Sequence, residues 1–237
     1  MQFTGFSMDI KNALLGFTFT LLLGSGVVFA ADYDKGLKAA QSGDFKTALA
    51  EWTPLAEQGH SDAQYNLGSM YDNGDGVLQS NKMAIKWQTL AAEQGHVDAQ
   101  HNLGVRYQYG HGVPSSNKTA SKWYRLAAEQ GRAEAQNNLG YMYVVGDGVP
   151  QSDTLAVKWF TQAAQQGYPT AQYSLGYMYD VGRGVPESDE LAVLWYTLAA
   201  EQGHVDAQNN LGVMYEYGHG VPQSLETAFE WYARAAE

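Results

Sequence analysis

The sequence predicts an all-α protein, a solenoid of about six helix hairpins built on a repeat of 36 residues. Three observations lead there. The six tryptophans, Trp52, Trp87, Trp123, Trp159, Trp195 and Trp231, stand in register, and every spacing after the first is 36. The pairs Leu67-Gly68, Leu103-Gly104, Leu139-Gly140, Leu175-Gly176 and Leu211-Gly212 recur at the same interval, as do Gly59, Gly95, Gly131, Gly167 and Gly203. Each unit also carries two apolar stripes of helical period. Ala63, Leu67, Met70 and Tyr71 occupy i, i+4, i+7 and i+8, and Ala84, Trp87, Gln88, Ala91 and Ala92 occupy i, i+3, i+4, i+7 and i+8. Segments 90–104 and 198–212 differ only at His101 against Asn209, the mark of duplication within the gene.

Residues 1–30 read as an export signal: Lys11, the apolar stretch Ala13 to Leu23, the break at Gly24-Ser25-Gly26, and small residues near Val28-Phe29-Ala30 for cleavage. Met8 gives a more compact signal than Met1. The apolar stretch falls short of the roughly 20 residues that a spanning helix needs, so no membrane span is expected after cleavage. The destination is then the periplasm or the exterior.

Residues 31–59 form a shorter opening hairpin, with Gly43-Asp44-Phe45 as its turn. Five repeats follow, at 60–95, 96–131, 132–167, 168–203 and 204–237. In each, the second helix places Gln88, Tyr124, Phe160, Tyr196 or Tyr232 after the tryptophan, with small Ala and Gly residues allowing close helix approach and the indole filling space between hairpins. Gly95 and its equivalents stand where a helix end calls for a left-handed residue. The linkers run from Gly74-Asp75-Gly76-Val77 to Gly218-His219-Gly220-Val221-Pro222, extended arms that proline keeps out of the helix. Ser80, Ser116, Ser152, Ser188 and Ser224 follow as expected helix N-caps. The sequence ends at Ala235-Ala236-Glu237 without a polar capping helix, so the last hairpin is expected to leave an apolar flank partly open.

Composition narrows the function. Lys plus Arg number 14 and Asp plus Glu 25, a net charge of −11 that removal of residues 1–30 leaves unchanged. Such a chain is ill suited to nucleic acid or anionic lipid. Cysteine is absent, which removes disulfides, thiolate zinc sites, a cysteine nucleophile and a lipoprotein anchor. Hydrophobic residues at 45% suffice for a packed core.

The pattern A-x-x-x-L-G-x-x-Y-x-x-G-x-G-V followed by A-x-x-W-[YF]-x-x-A-A-x-x-G resembles the Sel-1-like repeat family, relatives of the tetratricopeptide repeat, over residues 33–237. Arg106 at the Met position and Gln88 at the aromatic position depart from it. The resemblance implies a right-handed α-solenoid and a role as adaptor or binding scaffold, often exported in bacteria.

No catalytic residue, metal site or cofactor is assigned. The Gly-x-Gly loops lack the third glycine, strand and lysine of a phosphate cradle and recur as turns. Asp72-Asn73-Gly74-Asp75-Gly76 lacks the late glutamate of a calcium loop. Ser115 and Lys118 satisfy S-x-x-K, which raises the alternative of a weak hydrolase acting on β-lactam or cell-wall substrates, an activity ascribed to a cysteine-rich branch of the family. The other four loops lack this pair, S-D-N and K-T-G are missing, and so are the cysteines. His60, His96 and His204 follow helix-ending glycines, and His111 and His219 mark loop tips, all read as turn or surface residues.

A protein or peptide partner is expected in the concave groove lined by the first helix of each hairpin. Core positions repeat almost unchanged between copies while others vary, and the varying positions give the groove candidates Tyr65, His101, Asn137, Tyr173 and Asn209, then Tyr141 and Tyr177, then Tyr109 and Tyr217. Rigid aromatic anchors beside adaptable hydrogen-bonding groups suit such recognition. Coverage of neighbouring helices is the competing role for the tyrosines.

Overall fold

The computed structural model describes residues 31–236; the proposed export signal lies outside the described residues. These hold twelve α-helices and no strand. The opening hairpin is α1 (Tyr33–Gln41) and α2 (Phe45–Glu57), followed by α3 (Ser61–Asn73) with α4 (Asn81–Glu93), and α5 (Val97–Tyr109) with α6 (Asn117–Glu129). Then come α7 (Ala133–Val145) with α8 (Asp153–Gln165), α9 (Pro169–Asp180) with α10 (Asp189–Glu201), and α11 (Val205–Tyr217) with α12 (Leu225–Ala235). Extensive contact runs between consecutive helices, the quasi-one-dimensional packing of a solenoid.

The helix ends form as the sequence dictates. Ser80, Ser116, Ser152, Ser188 and Ser224 each accept a bond from the amide three residues on, at 3.2–3.3 Å. Gly95 adopts φ +92°, and the His96 and Gly95 amides donate back to Ala91 and Ala92, a Schellman closure repeated at the end of each of the first five hairpins. The residue after that glycine also opens the next helix. His60, His96 and His204 cap α3, α5 and α11 by accepting at Nδ1 from Ala63, Ala99 and Ala207, 3.3 Å away. These histidines are therefore more specialised than turn residues. Their rings stack on Tyr33, Tyr65 and Tyr173 of the preceding hairpin, with centroids 5.0, 4.4 and 4.7 Å apart.

In the three central hairpins, α5–α6, α7–α8 and α9–α10, the deepest ring is the one after the tryptophan. Tyr124 and Tyr196 are fully buried and Phe160 nearly so. A Cβ at Gly104 would lie 2.5 Å from the Tyr124 ring, and one at Gly140 2.7 Å from Phe160, so the Leu-Gly glycine exists to admit the ring. The tryptophans sit nearer the seams. Trp52, Trp87 and Trp159 are buried, whereas Trp123, Trp195 and Trp231 are half-exposed and cover the neighbouring core.

A chain of glutamines stitches hairpin to hairpin. Gln64, Gln100, Gln136, Gln172 and Gln208 are buried and donate to Ala56, Ala92, Ala128, Ala164 and Ala200 of the preceding hairpin. Gln94, Gln130, Gln166 and Gln202 in turn donate to the first four at 2.7–2.8 Å, which satisfies the buried amides. The loop tips clamp the preceding hairpin: Asn117 donates to Asp147, Arg183 pairs with Asp153, and His219 stands 3.4 Å from Asp189. The Gly-x-Gly loops are therefore inter-hairpin braces. On α12, Leu225 and Phe229 are exposed.

Candidate functional site

The first helices α3, α5, α7, α9 and α11 present three recesses where neighbours meet. Between α3 and α5 lies a cleft of ≈ 460 Å³ bordered by Asp72, Asn102 and Arg106. Between α9 and α11 lies a cleft of ≈ 350 Å³ bordered by Asp180, Asn210 and Val213. Between α7 and α9 lies a smaller pocket of ≈ 240 Å³ walled by Tyr141, Val144, Phe160, Tyr173, Tyr177 and Met178. Its lining is almost wholly apolar.

The nine groove candidates divide by environment. Tyr141, Tyr173 and Tyr177 are brought together in the apolar pocket. Tyr141 is 57% exposed and Tyr177 42%, so both rings face solvent from rigid helices. Tyr173 is half-buried, stacked on His204 and 5.8 Å from Tyr196. Tyr65 is likewise half-buried against His96, so both rings also cover a neighbouring helix end. His101 lies half-buried beside Tyr124, with Asn138 at 3.5 Å. Asn137 is buried in α7, whereas Asn209 on α11 is exposed. Tyr109 and Tyr217 end α5 and α11, exposed beside loop residues His111 and His219. These six are strung along the array and share no pocket with the tyrosine cluster.

Sequence reasoning passed over the residue before each Leu-Gly leucine. Asn102 and Asn210 at this position line the two clefts, and Asn66 donates to the Tyr33 hydroxyl at 3.0 Å. Its recurrence in four of five copies was the available signal.

Titration follows burial. The Tyr124 and Tyr196 hydroxyls are pushed well up by desolvation, and they donate to Gln108 (2.7 Å) and Asp180 (3.0 Å). Tyr232 is pushed up to about 12 by desolvation and by its bond to Glu216. Phe160, which has no hydroxyl, shares the apolar pocket with Val144, which holds the Gln108 and Asp180 position in its own hairpin. Burial holds the rings of His96, His101 and His204 below the ordinary histidine value.

The two departures from the repeat prove to be one. Arg106, 6% exposed, donates from Nε to Gln88 at 2.9 Å and pairs through Nη2 with Asp72 at 2.6 Å. An arginine and a glutamine thus replace the methionine and aromatic ring of other junctions.

Around S-x-x-K the Ser115 hydroxyl donates to the Gln108 carbonyl at 3.1 Å, and Lys118 is exposed. Ser116 is the helix cap. Among the described residues no group of His, Asp and Glu is arranged to hold a metal ion, and no helix is long and apolar enough to cross a membrane.

Stacked helix hairpins with varied side chains on the first-helix face define the class: an α-solenoid repeat protein. The chain belongs to the Sel1 repeat family, whose repeats match at residues 61–96, 97–131, 133–168, 169–204 and 205–237. It is similar to the crystal structure of a Sel1 repeat protein from Oxalobacter formigenes, 34% identical with a TM-score of 0.83, over 86% of this chain and 84% of that one. It is also similar to c5321, a protective antigen of uropathogenic Escherichia coli strains displaying the SLR fold, 35% identical with a TM-score of 0.78. That match spans 86% of this chain and 48% of the antigen, about half its length. Comparison with the curated proteins gives no match. Sel1 repeat proteins generally mediate protein–protein interaction.

Proposed function

We propose that this protein is an exported, non-catalytic scaffold that holds a protein or peptide partner along the groove of its first helices, in the periplasm or outside the cell. The tyrosine pocket carries the reading. Tyr141 and Tyr177 hold the same position in adjacent repeats, and solvent-facing rings on rigid helices lose little entropy on binding while supplying large contact area. Export is supported by the arrangement of residues 1–30, and N-terminal sequencing of the secreted or periplasmic fraction tests it.

The double substitution Tyr141→Ala with Tyr177→Ala is the test of binding. Each central hot-spot truncation costs about 2 kcal/mol or more of binding energy, so capture of native partners by crosslinking pull-down should disappear. Helical content and melting temperature should stay close to the parent's, because both rings are substantially exposed. Unchanged capture places the binding face elsewhere, and loss of capture together with the fold makes the tyrosines core residues.

A further inference from the structure

The clefts flanking the first-helix face are the same construction in two electrostatic settings. Asp180, Glu187, Asp189 and Met214 of the α9–α11 cleft stand three repeats after Asp72, Gln79, Asn81 and Arg106. At the α3–α5 junction the single carboxylate, Asp72, is neutralised by Arg106. At the α9–α11 junction two neutral positions have become acids and the cation has become methionine. Three carboxylates result. Asp180 accepts the Tyr196 hydroxyl, Asp189 faces His219 at 3.4 Å, and among the described residues no lysine or arginine pairs with any of the three. No lysine or arginine occurs between Arg183 and Arg234.

Helix α9 is a wall of both this cleft and the tyrosine pocket, with Tyr177 and Asp180 one turn apart upon it. Packed helices lie about 8–10 Å apart, and an extended chain advances about 3.3 Å per residue. A segment crossing α9 therefore brings side chains about three residues apart to the two recesses.

We propose that the groove takes an extended basic segment of its protein partner. An apolar side chain seats among Tyr141, Tyr173 and Tyr177, and a lysine or arginine about three residues away seats among Asp180, Glu187 and Asp189. The inference rests on the scaffold reading above and adds the chemistry of the partner. Charge complementarity selects the occupant: a carboxylate-rich cleft beside an apolar pocket repels acidic segments and orients basic ones.

The test is fluorescence anisotropy of the purified protein with short labelled peptides in a Gly/Ser background. One peptide carries Phe-x-x-Arg, one the reverse order, one has Arg replaced by Glu, and one has Phe replaced by Ser. One of the two Phe/Arg orders should bind, more weakly as salt rises, and the Glu and Ser peptides should not. Glu187→Gln with Asp189→Asn installs side chains that other hairpins already carry at Gln79 and Asn81. This pair should weaken the Arg peptide about fivefold or more while the helical content is retained, the lost Asp189 contacts at His219 and at the α10 N-terminus lowering the melting temperature only slightly. Tyr177→Ala should weaken it about tenfold or more at every salt concentration. Equal binding of Arg and Glu peptides, an unchanged affinity in the acid-neutralised variant, or no binding of either Phe/Arg peptide overturns the proposal. In each of these cases, capture of native partners that still depends on Tyr141 and Tyr177 leaves the scaffold reading standing; its loss removes both.

Discussion

Arg106 and Gln88 offer a sharp test of how neighbouring hairpins are matched. At the α9–α11 junction the equivalent residues are Met214 and Tyr196, whose hydroxyl donates to Asp180 at 3.0 Å. Arg106→Met alone strands the buried Gln88 amide, at about 1–3 kcal/mol, and leaves Asp72 without its cation. Breaking a buried pair costs about 3–5 kcal/mol, but the Asp72 side chain is 39% exposed and rehydrates, so we expect about 2–3 kcal/mol. Gln88→Tyr alone drives a ring into space that the guanidinium fills, an overpacking cost of about 1–3 kcal/mol. Together the substitutions rebuild the α9–α11 arrangement, with the new hydroxyl placed to donate to Asp72. The double variant should match the parent's stability, since methionine and the tyrosine ring refill the vacated space and the new hydroxyl takes the guanidinium's place at the partly exposed Asp72. The coupling is then at least about 3 kcal/mol, against the roughly 0.5 kcal/mol within which independent sites add. Urea unfolding of the four proteins, followed by circular dichroism and tryptophan fluorescence, measures it. A double variant whose loss equals the sum of the two single losses would refute the reasoning.

Three further outcomes follow from packing and protonation. Gly140→Ala places its methyl against Phe160 and should destabilise by about 1–3 kcal/mol in urea unfolding, although alanine ordinarily favours a helix by about 1 kcal/mol. Trp159→Ala should cost about 3–5 kcal/mol, and Trp195→Ala less because that indole is half-exposed, as the shift in urea midpoint will show. The neutral rings of His96 and His204 cap helices and bind protons less readily than in the unfolded chain. Their contribution, complete above the ordinary pKa of about 6.5, is therefore lost as pH falls below it. His96→Asn with His204→Asn keeps a cap and should flatten the decline of the urea midpoint between about pH 7 and pH 5.

The hairpins were legible because the tryptophans, the Leu-Gly pairs and the serine caps are local signals repeated five or six times. The ring after the tryptophan could be placed in the core, but its depth against Gly104 or Gly140 depends on how closely the two helices approach, which periodicity does not set. The glutamine chain went unread because its bonds join residues 30 apart and polar residues in surface helices ordinarily face water. Its regularity, Gln64 through Gln208 without exception, was nonetheless visible. The histidine caps escaped notice since serine and aspartate usually hold that position. For the groove, variation between copies picked out Tyr141, Tyr173 and Tyr177, which share a pocket, and also Asn137, which is buried. Variability separates repeat-specific positions from common ones, and a repeat-specific side chain can as readily fit one neighbour as face solvent.

Site-specific photo-crosslinking tests the central claim most directly. A benzophenone side chain is placed at Tyr141 on the first-helix face or, as the control, at exposed Lys122 on α6, and the native envelope or medium is irradiated. The account predicts discrete protein adducts from position 141 that vanish with Tyr177→Ala, and none from position 122. Adducts from position 122 alone, or equally from both, would contradict it.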